Sequence, residues 1–162
     1  MTVSPVAGQQ RCRMFSQRNT ARSDLLCADI TGTAINGFHV TYDQLGFGFL
    51  ESIYRRALAI ELRAFGLTVA EEAPIDVWYA GARIGRFRTD LLVENKVIVE
   101  IKTGRAVGDA DRKQLLNYLR ASDVEVGLLL LFGPKPFFQR LVFTNSQKPA
   151  SRRTVKPPSG QR

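Results

Sequence analysis

Histidine and cysteine are the scarcest chemistry-bearing residues in this 162-residue chain, with one His and two Cys. The single His39 excludes any centre built from several imidazoles, the His-Glu-x-x-His type included. Cys12 and Cys27 are too few and too far apart for a disulfide framework or a zinc site, and reduced thiols fit a cytoplasm. No apolar run approaches the roughly 18 residues of a membrane span. The arginine-bearing N-terminus is not followed by an apolar stretch of signal-peptide length. A cytoplasmic protein with no membrane partner is expected.

Acids are missing from both ends. The formal charge is +8, but Arg11, Arg13, Arg18 and Arg22 stand in an acid-free segment 1–23, and Lys148, Arg152, Arg153, Lys156 and Arg162 in an acid-free segment 144–162. That leaves 14 of the 23 basic residues, against all 15 acids, in 24–143. The pI near 10 therefore describes the ends, and the part able to form a core is close to neutral. Basic ends can hold a phosphate backbone through counterion release, yet short cationic ends on folded domains are also common without specific function.

Three parts follow from composition and periodicity. Residues 1–23, rich in Gln, Arg, Ser and Thr, read as a disordered leader within which Met14 is an alternative start. Residues 24–143 read as one domain, and 144–162 as a disordered basic tail. Within the domain, Leu25, Leu26, Ile30, Ala34, Ile35 and Phe38 predict a helix from about 24 to 44, with Ser23 or Asp24 as its cap and Gly32 and Gly37 as weak points. After the break at Gly46 and Gly48, a second helix is expected over about 49–65, with Gly66 at its C′ position. Val77 and Tyr79, then Ala82 to Val93, then Val97, Val99 and Ile101 read as three strands of an antiparallel meander. Residues 108–121 return to helical spacing, Val126–Phe132 reads as a buried strand, and 139–143 as an edge strand. The expected order is αα-βββ-α-ββ, a mixed α/β fold.

The window from Arg88 to Gly104 carries the chemistry. Side chains alternate along a strand, so Glu100 and Lys102 share a face while Ile101 points away. Asp90 joins them only in one hairpin register. A three-residue loop at 94–96 pairs Val93 with Val97 and brings Asp90 opposite Glu100; a two-residue loop separates the acids. The odd-length loop is the expected one. Two carboxylates and an ammonium among apolar strands then need compensation, which a hard divalent cation such as Mg²⁺ supplies. The plain alternative is an ion pair on an exposed hairpin face.

Two helices add polar residues on inward stripes. Glu51 and Tyr54 align with Leu58; Glu51 read plainly is a first-turn acid paired with Arg55 at i+4. Gln114 and Tyr118 lie one turn apart beside the leucine face of the third helix, where Gln114 can donate and accept. Read plainly, they are a boundary amide and a core aromatic.

These residues resemble the PD-(D/E)XK nuclease superfamily: Asp90, then Glu100-Ile101-Lys102-Thr103-Gly104, then Gln114 and Tyr118. More narrowly, Gly48 to Glu51 and Tyr54 resemble the bacterial GxxExxY protein family within it. That resemblance spans about 28–143 and includes the Tyr42–Gly48 lead, the Gly127–Gly133 strand and Arg140-Leu141-Val142. It departs at Arg55, where relatives carry an acid, and at Leu131-Phe132-Gly133, where Asn-Phe-Gly is common.

The resemblance implies a restriction-endonuclease-like mixed sheet flanked by helices. It implies Asp90, Glu100 and the Ile101 backbone carbonyl as ligands of Mg²⁺ or Mn²⁺. Lys102, Gln114 and Glu51 would be catalytic, with Tyr54 and Tyr118 supporting. The expected activity is hydrolysis of phosphodiester bonds in DNA, less so in RNA, by a possible homodimer. The alternative is a nucleic-acid-binding or protein-interaction module that keeps the fold without turnover, favoured by the near-neutral core and opposed by the intact Asp, Glu and Lys positions.

Overall fold

The computed structural model describes residues 26–148. Helix α1 (Ala28–Leu45) and helix α2 (Glu51–Ala64) come first. Ile30, Ala34, Phe38 and Thr41 of α1 bury one stripe at helical spacing. Gly37 is a packing device, not a break: a Cβ there would lie 2.7 Å from Leu62 Cδ2, so glycine lets α1 and α2 approach closely. The expected cap at Ser23 or Asp24 lies outside the described residues. Helix α2 ends as its composition predicts. The Gly66 N–H reaches Arg63 O at 2.9 Å and the Leu67 N–H reaches Leu62 O at 3.0 Å, which is the Schellman pattern.

The middle of the chain corrects the expected meander. Five strands fill it: β1 (Val69–Glu71), β2 (Pro74–Tyr79), β3 (Ala82–Arg88), β4 (Leu91–Val93) and β5 (Val97–Thr103). The apolar stretch 82–93 is cut at Thr89 and Asp90. β2 and β3 pair only with each other, while β4 pairs with β1 and β5. Period-2 alternation marks which side chains share a face but not which strand is the partner, and a three-residue strand such as β1 is too short to show a period.

Helix α3 (Asp109–Ala121), β6 (Val126–Phe132) and β7 (Phe137–Val142) complete the domain close to expectation. The main sheet runs β1-β4-β5-β6-β7, with β5 and β6 parallel and the other pairs antiparallel. A parallel pair needs a crossover, and α3 supplies it. The sheet is mixed, with helices on both faces.

Alternation along β5 divides the core. Val97, Val99 and Ile101 pack with α1 and α2 through Phe38, Tyr54, Leu58 and Leu62. Ile98 faces the other way, toward Leu115, Tyr118 and Leu119 of α3. Glu100 and Lys102 follow Ile98 on that second face. Residues 144–148, expected in the tail, are instead ordered: Asn145–Gln147 form a short 3-10 turn. The Lys148 ammonium turns inward to Ser122 O at 2.7 Å and Val124 O at 2.9 Å. Met14, Cys12 and the remainder of both basic ends lie outside the described residues. Among the described residues no helix is long and apolar enough to cross a membrane.

Candidate active site

The hairpin between β4 and β5 has the odd-length loop. Glu94 and Asn95 both take positive φ, 51° and 53°, and the Lys96 N–H closes on Val93 O at 2.9 Å. This is a left-handed turn with one extra residue, and it pairs Val93 with Val97 and Leu91 with Val99. Asp90, one residue beyond the ladder, therefore comes level with Glu100. Its Oδ2 continues the pairing where the strand has stopped, accepting the Ile101 N–H at 2.8 Å.

Glu100 is the most enclosed charged group of this set, only 4% exposed. Its Oε1 accepts from Lys102 Nζ at 3.0 Å, and its Oε2 is buried without a hydrogen-bond partner. Burial, reinforced by the nearby charge of Asp90, pushes the Glu100 carboxyl up to about 7. Burial also raises Asp90, against the opposing pull of the Ile101 N–H and the charges of Lys102 and Arg55. For Lys102, burial works toward a lower pKa, but the hydrogen bond and charge of Glu100, with Glu51 and Asp111, outweigh it and hold the ammonium above its ordinary value.

Glu51 enters from the first turn of α2. Its Oε1 accepts the Thr103 N–H at 3.3 Å, just past Lys102, and its charge raises the pKa of both Glu100 and Lys102. On α3, Gln114 Nε2 donates to Tyr118 OH at 2.6 Å. Tyr118 is raised chiefly by burial, and the Gln114 hydrogen bond lowers it; Glu100, Lys102 and Asp90 are also within electrostatic reach. Asp90, Glu100, Lys102, Glu51 and the Gln114–Tyr118 pair thus gather around one end of β5. Tyr54 stands apart. It is fully buried, stacked on Phe132 with ring centroids 4.0 Å apart, and its hydroxyl serves the α1–α2 loop.

One contact was not legible in the sequence. Arg55 does not reach back to Glu51; its guanidinium lies among Glu71 (3.9 Å), Glu72 (3.6 Å) and Asp90 Oδ1 (3.8 Å). The only signal was the position itself, one residue after Tyr54, where the resembling family carries an acid. Nothing local announces Asp90 as the partner, since 35 positions separate the two.

The donor set fits a hard divalent cation. Two carboxylates converge, one oxygen of Glu100 is buried and unsatisfied, and both acids resist ionising without added positive charge. Mg²⁺ takes one or two carboxylates and completes its shell with carbonyls and water. Among the described residues no three His, Cys, Asp or Glu side chains gather closely enough to hold a metal by themselves, so Asp90 and Glu100 would need main-chain and solvent oxygens beside them.

A sequence model of the PD-(D/E)XK nuclease superfamily matches residues 28–141. No curated protein matches the chain. Among solved structures, the chain is similar to SSO0001 at 19% identity and a TM-score of 0.43, over 57% of this chain and 49% of that one. It is also similar to Hjc from Archaeoglobus fulgidus, a Holliday junction resolvase from an archaeal hyperthermophile. That likeness has 18% identity and a TM-score of 0.37, over 56% of this chain and 73% of that one. The chain spans about half the length of the first of these, and likeness at such scores carries no argument about activity.

Proposed function

The chain belongs to the PD-(D/E)XK nuclease superfamily, and from that premise we propose that it hydrolyses phosphodiester bonds in nucleic acid, DNA before RNA, with Mg²⁺ or Mn²⁺. The observation that carries this reading is the meeting of Asp90 and Glu100 on one sheet face, with Lys102 Nζ 3.0 Å from Glu100 and the other Glu100 oxygen unpartnered. Within the superfamily, Gly48, Glu51 and Tyr54 support reading the chain as one of the GxxExxY proteins.

Asp90, Glu100 and the Ile101 carbonyl would hold the cation, which when bound supplies positive charge against the carboxylates and the scissile phosphate. Lys102, kept protonated by Glu100 and Glu51, acts as a hydrogen-bond donor and fixed positive charge toward the phosphate or an attacking water. Gln114, steadied by Tyr118, positions the water or the phosphate. Glu51 accepts a hydrogen bond from water at the same end of β5. Tyr54 supports by holding the loop that precedes Glu51.

Exposed arginines on the neighbouring hairpin support a phosphate-backbone partner. The β2–β3 register puts Arg83, Arg86 and Arg88 on the face opposite Ile75 and Phe87, with side chains half or more exposed and only two acids, Asp76 and Glu72, paired with the three of them. The last of them is two residues from Asp90. This reading takes the protein as cytoplasmic, with 24–143 as its working domain. It also leaves room for a homodimer, because so small a domain offers little surface to a duplex.

The near-neutral charge of 24–143 favours a second reading, a binding module without turnover. One experiment separates the two: cleavage of single- and double-stranded DNA and RNA in Mg²⁺ and Mn²⁺ by wild type, Asp90→Ala and Lys102→Ala. Metal-dependent cleavage by wild type, lost in both variants, is expected. Binding without cleavage, unchanged by either substitution, would sink the nuclease reading.

A further inference from the structure

The loop between α1 and α2 exposes an apolar cluster next to the candidate site. Phe47 is 58% exposed, Phe49 49% and Leu50 74%, and Ile53 on the first turn of α2 extends the patch. Contiguous exposed apolar side chains mark contact surfaces more often than isolated ones do.

This loop is built, not slack. The Tyr54 hydroxyl donates to Gly46 O at 2.9 Å and accepts the Phe49 N–H at 3.2 Å, clamping both ends of the segment. Gly46 and Gly48 take φ of 66° and 114°, a path that side-chain-bearing residues rarely follow. The Phe49 ring stands edge-on to Tyr54, with centroids 6.1 Å apart. Tyr54 itself is locked against Phe132. A buried tyrosine thus holds two phenylalanines toward water. The loop also runs directly into the site, because the residue after Leu50 is Glu51, whose carboxylate sits on the Thr103 N–H beside Lys102.

We propose that Phe47 and Phe49 form a stacking platform for unpaired nucleobases, so that the site prefers nucleic acid with an exposed single strand over uninterrupted duplex. The inference rests on the nucleic-acid reading above. Stacking on a protein ring requires a base face that is not already covered by its neighbours, and it tolerates any sequence because every base has such a face. A second copy of this chain fits the patch less well: four part-exposed side chains fall short of the roughly 800 Å² per partner of a standard interface.

The test uses the full chain in EDTA, where cleavage is suppressed, with fluorescent single-stranded and blunt duplex oligonucleotides of equal length. Phe47→Ala is expected to weaken single-strand binding about tenfold and leave duplex binding within twofold. Phe47→Trp is expected to keep the affinity, and its added emission over wild type, which already contains Trp78, is expected to be quenched by the single strand alone. Equal loss on both substrates, or no loss on either, overturns the platform. So does sedimentation showing a wild-type dimer that Phe47→Ala dissociates. Single-strand binding through the loop with no cleavage in Mg²⁺ or Mn²⁺ sinks the nuclease reading and leaves the platform standing. Cleavage by wild type with unchanged single-strand affinity in Phe47→Ala does the reverse, and absence of any nucleic-acid binding overturns both.

Discussion

Arg55 of α2 and Asp90 of the β3–β4 junction face each other with 3.8 Å between Nη1 and Oδ1, and this ties a helix residue outside the Asp-Glu-Lys set to the first of its acids. The same guanidinium stands near Glu71 and Glu72, so three carboxylates share one largely buried cation.

Arg55→Gln should therefore take away the guanidinium beside Asp90, while Glu71 keeps Arg63 at 3.1 Å and Glu72 keeps Arg88 at 4.0 Å. The contacts are long and Glu72 is half exposed, so the loss of stability is expected to be about 1–3 kcal/mol, below that of a fully buried pair. Arg55→Lys should recover part of it. Urea unfolding of the metal-free protein checks this, and a wild-type midpoint for Arg55→Gln would contradict it.

Glu100 predicts a pH dependence of definite sign. Its folded carboxyl ionises near 7, above its ordinary 4.5, so its stabilising contribution is fully present below about 4.5 and is lost as pH rises through 7. Lys102 is also raised, but its contribution persists below the ordinary lysine range and stays constant across that window. Metal-free wild type should lose on the order of 3 kcal/mol relative to Glu100→Gln between pH 4.5 and 8. Mg²⁺ or Mn²⁺ should flatten the wild-type curve and leave that of Glu100→Gln unchanged. Parallel melting curves for the two proteins across this range would rule the shift out.

The Gln114–Tyr118 hydrogen bond separates positioning from folding. Tyr118→Phe removes one hydrogen bond and keeps the ring against Phe87, at 5.2 Å between centroids, so stability should change by only about 1 kcal/mol. Turnover is expected to fall on the order of tenfold, in kcat more than in KM, with Gln114→Ala falling further. Wild-type kcat in both variants would remove this pair from the site.

Gly133 carries a steric prediction. A Cβ at that position would lie 2.3 Å from the Gly104 carbonyl oxygen, a backbone atom that cannot swing aside. Gly133→Ala must push apart the ends of the parallel strands β5 and β6, directly beside Lys102 and Thr103. A loss of about 2–3 kcal/mol is expected in thermal unfolding, and a melting temperature equal to wild type would refute it.

The hairpin register and the three helices were legible because each rests on local rules. Helical spacing over α1, α2 and α3 names their buried stripes, and Gly66 ends α2 through hydrogen bonds within six residues of sequence. The odd-length loop at 94–96 sets the parity of β4 against β5, and parity alone decides whether Asp90 and Glu100 share a face.

Partnership across distance was not legible, because alternation and composition carry no information about which strand or charge will be adjacent. The single expected strand over 82–93 belongs to two sheets. Arg55 turns to acids that lie beyond the next loop, and Lys148, counted with a free tail, buries its ammonium on two carbonyls. The chain by itself determined its scarcity of His and Cys, its near-neutral middle, its helix faces and the alternation that pairs Glu100 with Lys102. Tertiary structure decided how deeply Glu100 is buried, which cation answers Asp90, and that Tyr54 holds the Phe47–Phe49 loop open beside them. Desolvation and close approach arise only when segments distant in sequence pack together.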